Sequence, residues 1–202
     1  MEGCSRLGKS LASDSTAVYR DGDAIMVPSA ANPRLRQYVP PEPIIKFRSL
    51  NDGGALYVTE HRSSGVFITS RMTRMGGIVC NGISESSHPV DISDDRKAYT
   101  VGSSPTRTLS APATFIVAGE KGELVVVDHE VLESPFNVFR FESSGALRWR
   151  LQPHSFGPKY QFISSARFLD AQRSVIHGYY GWEATVSEAN GSVLEIIATN
   201  LK

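Results

Sequence analysis

The sequence is poor in cysteine, in uncompensated charge and in long apolar runs. Its 202 residues contain only two cysteines, and 21 basic side chains balance 21 acidic ones. This balance removes the basic excess that binding to nucleic-acid phosphates needs, so we expect no nucleic-acid partner. No run of about 18 apolar residues is present to form a membrane span, so we expect no membrane partner either.

The N-terminal residues also lack the apolar core of a secretory signal peptide. We therefore expect a cytoplasmic protein in which Cys4 and Cys80 are free thiols. A disulfide between them is the alternative if the compartment is oxidising. Cys80 lies in the apolar run Ile78-Val79-Cys80, where we expect it to be a small buried hydrophobe.

Helical periodicity is missing as well, since no long window has an apolar stripe at 3.6-residue spacing. The C-terminal half instead repeats one turn-and-strand phrase three times. In each copy a polar run ends at a glycine, and a strand-like run with a leucine or a valine follows. The copies are GEKGELVVVDHE (119–130), FESSGALRWRL (141–151) and VSEANGSVLEII (186–197). Glycine turns between alternating runs predict β-hairpins and an all-β class.

Composition divides the chain into a tail and a β domain. Residues 1–16 are rich in serine, glycine and charge, which predicts a disordered tail. Residues 17–202 are predicted to form a single all-β domain of antiparallel hairpins, stacked as a propeller-like or sandwich body. Its parts are N-terminal hairpins (17–75), a long loop-rich excursion (76–112) and a C-terminal hairpin stack (113–202).

Side-chain alternation assigns faces in several of these predicted strands. Residues 124–127 are apolar at every position, which predicts a strand buried on both sides. Leu147, Trp149 and Leu151 are predicted to share one core-facing side. Residues 76–80 are interpreted as a short buried strand.

Two of the phrases resemble the repeat of quinoprotein-type (PQQ-like) β-propellers. In that repeat an outward strand ends in an acidic residue, a turn ending in glycine follows, and the return strand carries an aliphatic residue and often a tryptophan. Residues 141–152 keep the glycine, the aliphatic residue and the tryptophan. Residues 182–196 keep Gly191 and Leu194 but have Glu195 where the tryptophan would stand.

The resemblance, taken over residues 114–201, implies a propeller-like stack of hairpins. At about 40–45 residues per blade, a chain of this length allows about four blades. The same part of the chain is similar to small, single-domain bacterial proteins of unassigned function that carry this hairpin pattern. That resemblance implies a fold and supplies no activity.

The aromatic segment HGYYGWE (177–183) is the best candidate for a binding site. Alternation puts Tyr180 and Trp182 on the core side and leaves the remaining polar and aromatic side chains on the other. Aromatic rings with polar tips are suited to stacking on sugars, bases or side chains of a partner. The candidate ligand-binding residues are His177, Tyr179, Glu183 and, from the preceding segment, Tyr160.

Other chemical patterns in the sequence are incomplete. Asp128, His129 and Glu130 are adjacent, but neighbours on a strand point to opposite faces and cannot all bind one metal ion. Residues 82–86 (GISES) only half match the nucleophile elbow GxSxG, because the second glycine and a following helix are missing. We therefore assign no catalytic, cofactor or metal residues.

These observations favour a non-enzymatic β-sheet interaction protein. We expect it to bind a protein partner through a loop face at one end of the strands. An immunity-like role, neutralising a toxin in a bacterial cytoplasm, is one concrete form of this hypothesis. A small-molecule or carbohydrate-binding module is the alternative, and a hydrolase whose site assembles from distant loops is a further one. The sequence leaves the oligomeric state open.

Overall fold

The computed structural model describes residues 17–29, 32–134, 136–153, 163–179 and 181–198. These residues form 18 β-strands and one short α-helix, which confirms the all-β class. The predicted tail, residues 1–16, the candidate residue Tyr160 and Tyr180, predicted to face the core, lie outside the described residues.

The first seven strands are mostly longer than the three that follow them. They are β1 (Tyr19–Asp21), β2 (Ala24–Ser29), β3 (Asn32–Tyr38), β4 (Ile44–Ser49), β5 (Ala55–His61), β6 (Val66–Met72) and β7 (Ile78–Ser84). The next three are β8 (Val90–Ile92), β9 (Ala98–Val101) and β10 (Arg107–Thr108). Residues 76–112, predicted to be a loop-rich excursion, contain many turns and also form the four strands β7 to β10.

The C-terminal part contains the remaining elements. They are β11 (Ala113–Gly119), β12 (Gly122–Val127), α1 (His129–Leu132), β13 (Val138–Glu142), β14 (Leu147–Arg150), β15 (Ile163–Phe168), β16 (Arg173–Gly178), β17 (Trp182–Ser187) and β18 (Val193–Ala198). The second and third copies of the repeated phrase form the β13–β14 and β17–β18 hairpins, and the first forms the end of β11 with β12. The hairpins predicted from the glycine turns are thus present.

The strands form four sheets. Three are hairpin meanders with the orders β1-β2-β3, β10-β9-β8 and β15-β16-β17-β18. The fourth has eight strands in the order β14-β13-β12-β11-β7-β6-β5-β4. It consists of two four-stranded meanders, β4–β7 and β11–β14, which are joined where β7 pairs in parallel with β11.

The β11–β14 meander is covered on both faces. One face contributes Leu124, Val126 and Trp149 to a core shared with Ile176 and Trp182 of the β15–β18 sheet. The opposite face packs on the small β8–β10 sheet. Burial on both sides is why every residue of β12 is buried, as the apolar run at 124–127 predicted. The three sheets therefore stack face to face.

The second core cluster lies between the β8–β10 sheet and β11–β12. It contains Val90, Ile92, Tyr99, Leu109, Ala111, Ala113, Ile116, Ala118, Val125 and Val127. A buried ion pair lies at one end of this core cluster. Arg107 donates two hydrogen bonds to the Glu123 carboxylate, at 2.9 Å from Nε and 3.2 Å from Nη2, and this pairing raises the pKa of Arg107.

The N-terminal sheet packs on β4 and β5. Ile25 and Val27 of β2 meet Ile44, Ala55 and Tyr57 in a third cluster. Separate ion pairs connect β4 to β8 and the turn after it: Lys46 with Asp91, and Arg48 with Asp94. The N-terminal hairpins are thus attached both by apolar packing and by charge.

Leu147 does not share the buried face of Trp149 and Leu151, so this part of the prediction is wrong. Leu147 is 54% exposed, whereas Trp149 and Leu151 are 5% and 2% exposed. In the β13–β14 ladder Arg140 pairs with Trp149 and Phe141 with Leu147, so one residue, Arg148, is extra. A β-bulge of this kind reverses the alternation of side chains.

The prediction of a buried strand at residues 76–80 is also wrong. Ile78 and Val79 are 42% and 51% exposed, and Cys80 is exposed. The parallel partner β11 begins to pair with β7 only at Gly82. The first half of β7 therefore has no ladder with β11, and Ile78 and Val79 lie outside the core that β11 covers.

Candidate functional site

The β15–β18 sheet presents an outer face and an open edge. Its inner face carries Ile176, Trp182 and Ala184, which are at most 1% exposed against the β11–β14 meander. The antiparallel register places the intervening residues on the outer face. Since β18 is the last strand in the sheet order, its second edge has no partner strand among the described residues.

A row of side chains crosses the outer face of this sheet. In the register, Ser165 of β15 pairs with His177 of β16, His177 with Glu183 of β17, and Glu183 with Ile197 of β18. The His177 Nδ1 atom lies 3.3 Å from Glu183 Oε1, and both side chains are partly exposed. A protonated imidazole in this position forms an ion pair, and a neutral one can donate a hydrogen bond.

The structure brings three of the four predicted site residues to one end of the sheet. Alternation along one strand predicted that His177 and Glu183 share a face; their contact depends on the turn between β16 and β17, which was not predicted. Tyr179 begins the turn between β16 and β17 and is 70% exposed. Trp182 is buried in the core, as predicted. This arrangement offers one aromatic ring and one polar pair that solvent can reach.

The edge strand β18 exposes an aliphatic surface that the sequence reading did not assign to function. Leu194, Ile196 and Ile197 are 57%, 46% and 51% exposed. Glu195 lies among them, is exposed, and has no ion-pair or hydrogen-bond partner within the described part of the chain. Aliphatic side chains of this size are usually buried, so three half-exposed aliphatic side chains in one strand are an unusual feature of a protein surface.

An open groove runs beside β18. It has a volume of about 490 Å³ and is lined by Gln152, Pro153 and residues 192–196. Its walls are fixed by hydrogen bonds from Gln152 to the β17–β18 turn. The Gln152 backbone N–H donates to Gly191 O at 3.0 Å, and Nε2 donates to Asn190 O at 3.0 Å.

A buried ion pair anchors the turn that leads into β18. Arg140 Nε donates to Glu188 Oε2 at 2.8 Å, and the two side chains are 2% and 5% exposed. The Ser174 hydroxyl donates to the same carboxylate, and Trp149 Nε1 donates to the Glu188 carbonyl oxygen at 3.0 Å. The groove is therefore held by β13, β14 and β16 together.

The other patterns considered in the sequence have structural roles here. Ser84 is 1% exposed, and its hydroxyl lies 2.6 Å from the His88 carbonyl oxygen and 2.7 Å from Ser86 Oγ. Asp128 is the N-cap of α1, because its carboxylate accepts hydrogen bonds from the N–H groups of Glu130 and Val131.

The chain is similar to several solved structures at low identity. BamB from Moraxella catarrhalis is 13% identical with a TM-score of 0.31, over 91% of this chain and 49% of that one. The glutaminyl cyclase of Myxococcus xanthus is 10% identical with a TM-score of 0.42, over 77% and 75%. The WD40 β-propeller domain of Doa1 is 8% identical with a TM-score of 0.35, over 78% and 55%.

The chain thus spans about half the length of the BamB chain that it matches. No protein-family model matches the sequence, and no curated protein matches it significantly. No helix in the described ranges is long and apolar enough to cross a membrane.

Proposed function

We propose that this chain is a non-enzymatic interaction protein that binds a protein partner at the edge and groove of the β15–β18 sheet. The main support for this proposal is the edge strand β18, in which Leu194, Ile196 and Ile197 are each about half exposed. Burying an aliphatic side chain of this size contributes about 1.5–3 kcal/mol when it is complete. Leu194 and Ile196 line the groove, and together with Ile197 on the other face of the edge strand they can supply the apolar part of an interface.

The proposed surface differs from the loop face expected at the strand ends. It lies along an edge strand, where free backbone N–H and C=O groups accompany the apolar side chains. The walls of the groove are rigid because Gln152 is bonded to Asn190 and Gly191. A rigid site loses little conformational entropy on binding.

The proposal also extends to the cellular compartment and to the kind of partner. We infer a cytoplasmic protein and, from the similarity of residues 114–201 to small bacterial proteins, an immunity-like role in which the partner is a toxin. The direct test is whether a toxin-like gene lies beside the gene for this chain and whether the two products form a complex of defined stoichiometry. A partner with no toxic activity would contradict the immunity-like role and leave the interaction proposal standing.

The interaction proposal is tested by purification of the tagged chain from its own host. Light scattering should give the mass of a complex with a macromolecule at defined stoichiometry. A variant with Leu194→Ser, Ile196→Ser and Ile197→Ser should lose that partner while keeping its fold, because all three side chains are exposed. The matched control is Val39→Ser with Ile45→Ser, which removes exposed aliphatic residues elsewhere and should keep the partner. Isolation of the wild-type chain alone would contradict the proposal.

A small-molecule or carbohydrate-binding function is the second candidate. The exposed ring of Tyr179 near the His177–Glu183 pair favours it, since sugars bind by stacking on aromatic rings and by hydrogen bonds to polar side chains. A ligand from a sugar or metabolite screen should raise the melting temperature. Tyr179→Ala should abolish that rise without lowering the melting temperature of the free chain. A screen without any shift would count against this candidate.

A further inference from the structure

We propose that the open edge of β18 binds an extended peptide strand that carries a basic residue between aliphatic ones. The peptide would add a fifth strand to the β15–β18 sheet, with its aliphatic side chains on the inner side, next to Ile196, and its basic side chain on the outer side, beside Glu195. This inference rests on the proposed function and specifies the chemistry of the partner.

The backbone of β18 provides the first reason. Within the described residues β18 pairs with β17 alone. Leu194 forms a bulge, so it is from Glu195 to Ala198 that alternate N–H and C=O groups along the other edge are regular and free for a further strand. Strand addition at such an edge gives affinity through main-chain hydrogen bonds, while side-chain pockets give specificity.

The side chains of β18 set the pattern that the peptide must have. Ile196 pairs with Ala184 and therefore lies on the inner face, and it lines the groove together with Glu195. Glu195 pairs with Thr185 and Ile197 with Glu183, so both lie on the outer face. Residues directly opposite in neighbouring strands share a face. The peptide must therefore present an aliphatic residue on the inner side, next to Ile196, and a cation on the outer side, next to Glu195.

The charge of Glu195 determines which side chain the peptide should carry on the outer face. Glu195 is exposed and unpaired within the described chain, and Glu183 lies on the same face, already in contact with His177. A lysine or arginine opposite Glu195 would complete a cross-strand ion pair. A second copy of this chain fits less well, because two-fold pairing of β18 strands would bring two Glu195 side chains onto one face.

The probe for this proposal is a fluorescein-labelled nine-residue peptide that alternates threonine and valine and has lysine at its central threonine position. The full chain should bind it in fluorescence anisotropy, and about threefold more tightly than the matched peptide with central glutamate, the factor typical of one exposed ion pair. Methylation of alternate backbone nitrogens should abolish binding, because it removes the donors that an edge strand requires.

The deciding variant is Glu195→Lys, which should reverse the ranking of the lysine and glutamate peptides. Thr185→Ser, on the same face of β17, is the matched control and should leave the ranking unchanged. Equal binding of both peptides to both forms would overturn the proposed chemistry. A dimer of the free chain that Ile196→Lys dissociates would overturn it too, because a second copy would then occupy the edge.

The two proposals fail in different ways. If the serine triple variant of β18 loses its natural partner but neither peptide binds, the partner uses this surface in another manner, and only the strand-addition proposal is wrong. If the natural partner is retained by the triple variant, the surface assigned under the proposed function is itself wrong.

Discussion

Removal of the Arg140 side chain should be among the most damaging single substitutions in this protein. Arg140 connects two sheets, because its Nε donates to Glu188 at 2.8 Å and its Nη2 donates to Lys121 O at 3.2 Å. Its guanidinium also lies 5.0 Å from the centre of the Phe168 ring. The pair is shielded from water, since the two side chains are 2% and 5% exposed.

The expected cost follows from that burial. Arg140→Ala leaves the Glu188 carboxylate buried with the Ser174 hydroxyl but without a cation. Breaking a buried ion pair on one side typically costs about 3–5 kcal/mol, which is a large part of the 5–15 kcal/mol that stabilises an ordinary domain. Replacing both partners by apolar residues removes the unpaired charge, so Arg140→Met with Glu188→Met should cost less than Arg140→Ala alone.

Urea unfolding followed by tryptophan fluorescence measures this directly. The chain has two tryptophans, and both lie in the core, with Trp149 Nε1 bonded to the Glu188 carbonyl oxygen. Arg173→Ala is the matched control, because Arg173 forms an exposed ion pair with Asp170 and should change the free energy of unfolding by less than about 1 kcal/mol. A loss below about 1 kcal/mol for Arg140→Ala would refute the reasoning, as would a double variant no more stable than Arg140→Ala.

Three further predictions concern a turn, a surface ion pair and a thiol. Gly191 has φ +75°, and a Cβ there would lie 2.8 Å from the Trp149 ring, whereas Gly22 has φ +60° and open space around it. Gly22→Ala should lower the free energy of unfolding by roughly 1–2 kcal/mol through left-handed strain, and Gly191→Ala should lower it clearly more, as measured by urea unfolding. The Arg48 side chain and the Asn51 N–H hold the pKa of Asp94 below its ordinary value, so the stability that this carboxylate provides is present at neutral pH and is lost as the pH falls through its folded-state pKa. Asp94→Asn should therefore lower the melting temperature at pH 7, and the difference from the wild type should shrink as the pH is lowered through the acidic range. Partial burial of its sulfur raises the pKa of Cys80, although the residue is exposed. In a Cys4→Ser background, alkylation of the native protein should therefore be slower than alkylation of free cysteine at pH 7 and should accelerate as the pH rises. Modification of Cys80 only after unfolding would contradict this.

The class and the hairpins could be predicted because they depend on local signals. A glycine at each turn and alternation on each side of it are sufficient to place β13 with β14 and β17 with β18. Alternation along a single strand also predicted one face for His177 and Glu183, but it missed the turn between β16 and β17 that pairs the two residues directly. Predictions failed where one residue altered the pattern: the extra Arg148 turned Leu147 outward.

Features that depend on distant pairing could not be predicted. The exposure of Ile78 and Val79 follows from where β11 begins to pair along β7, and no local pattern contains that position. The functional interest of Leu194 and Ile196 follows from the place of β18 at the end of its sheet. Sequence alternation described β18 as a strand but could not say whether another strand lies beside it.

The parallel pairing of β7 with β11 also has a consequence for the order of folding. Among the described strands, every other ladder joins strands that are consecutive in the chain and can form as soon as its turn closes. The β7–β11 ladder must wait until residues 85–112 are closed into a loop, at an entropic cost that local hairpins do not have. Formation of β8–β10 within that segment shortens the effective loop. We therefore expect substitutions in the small β8–β10 sheet to slow refolding more than comparable substitutions in β15–β18.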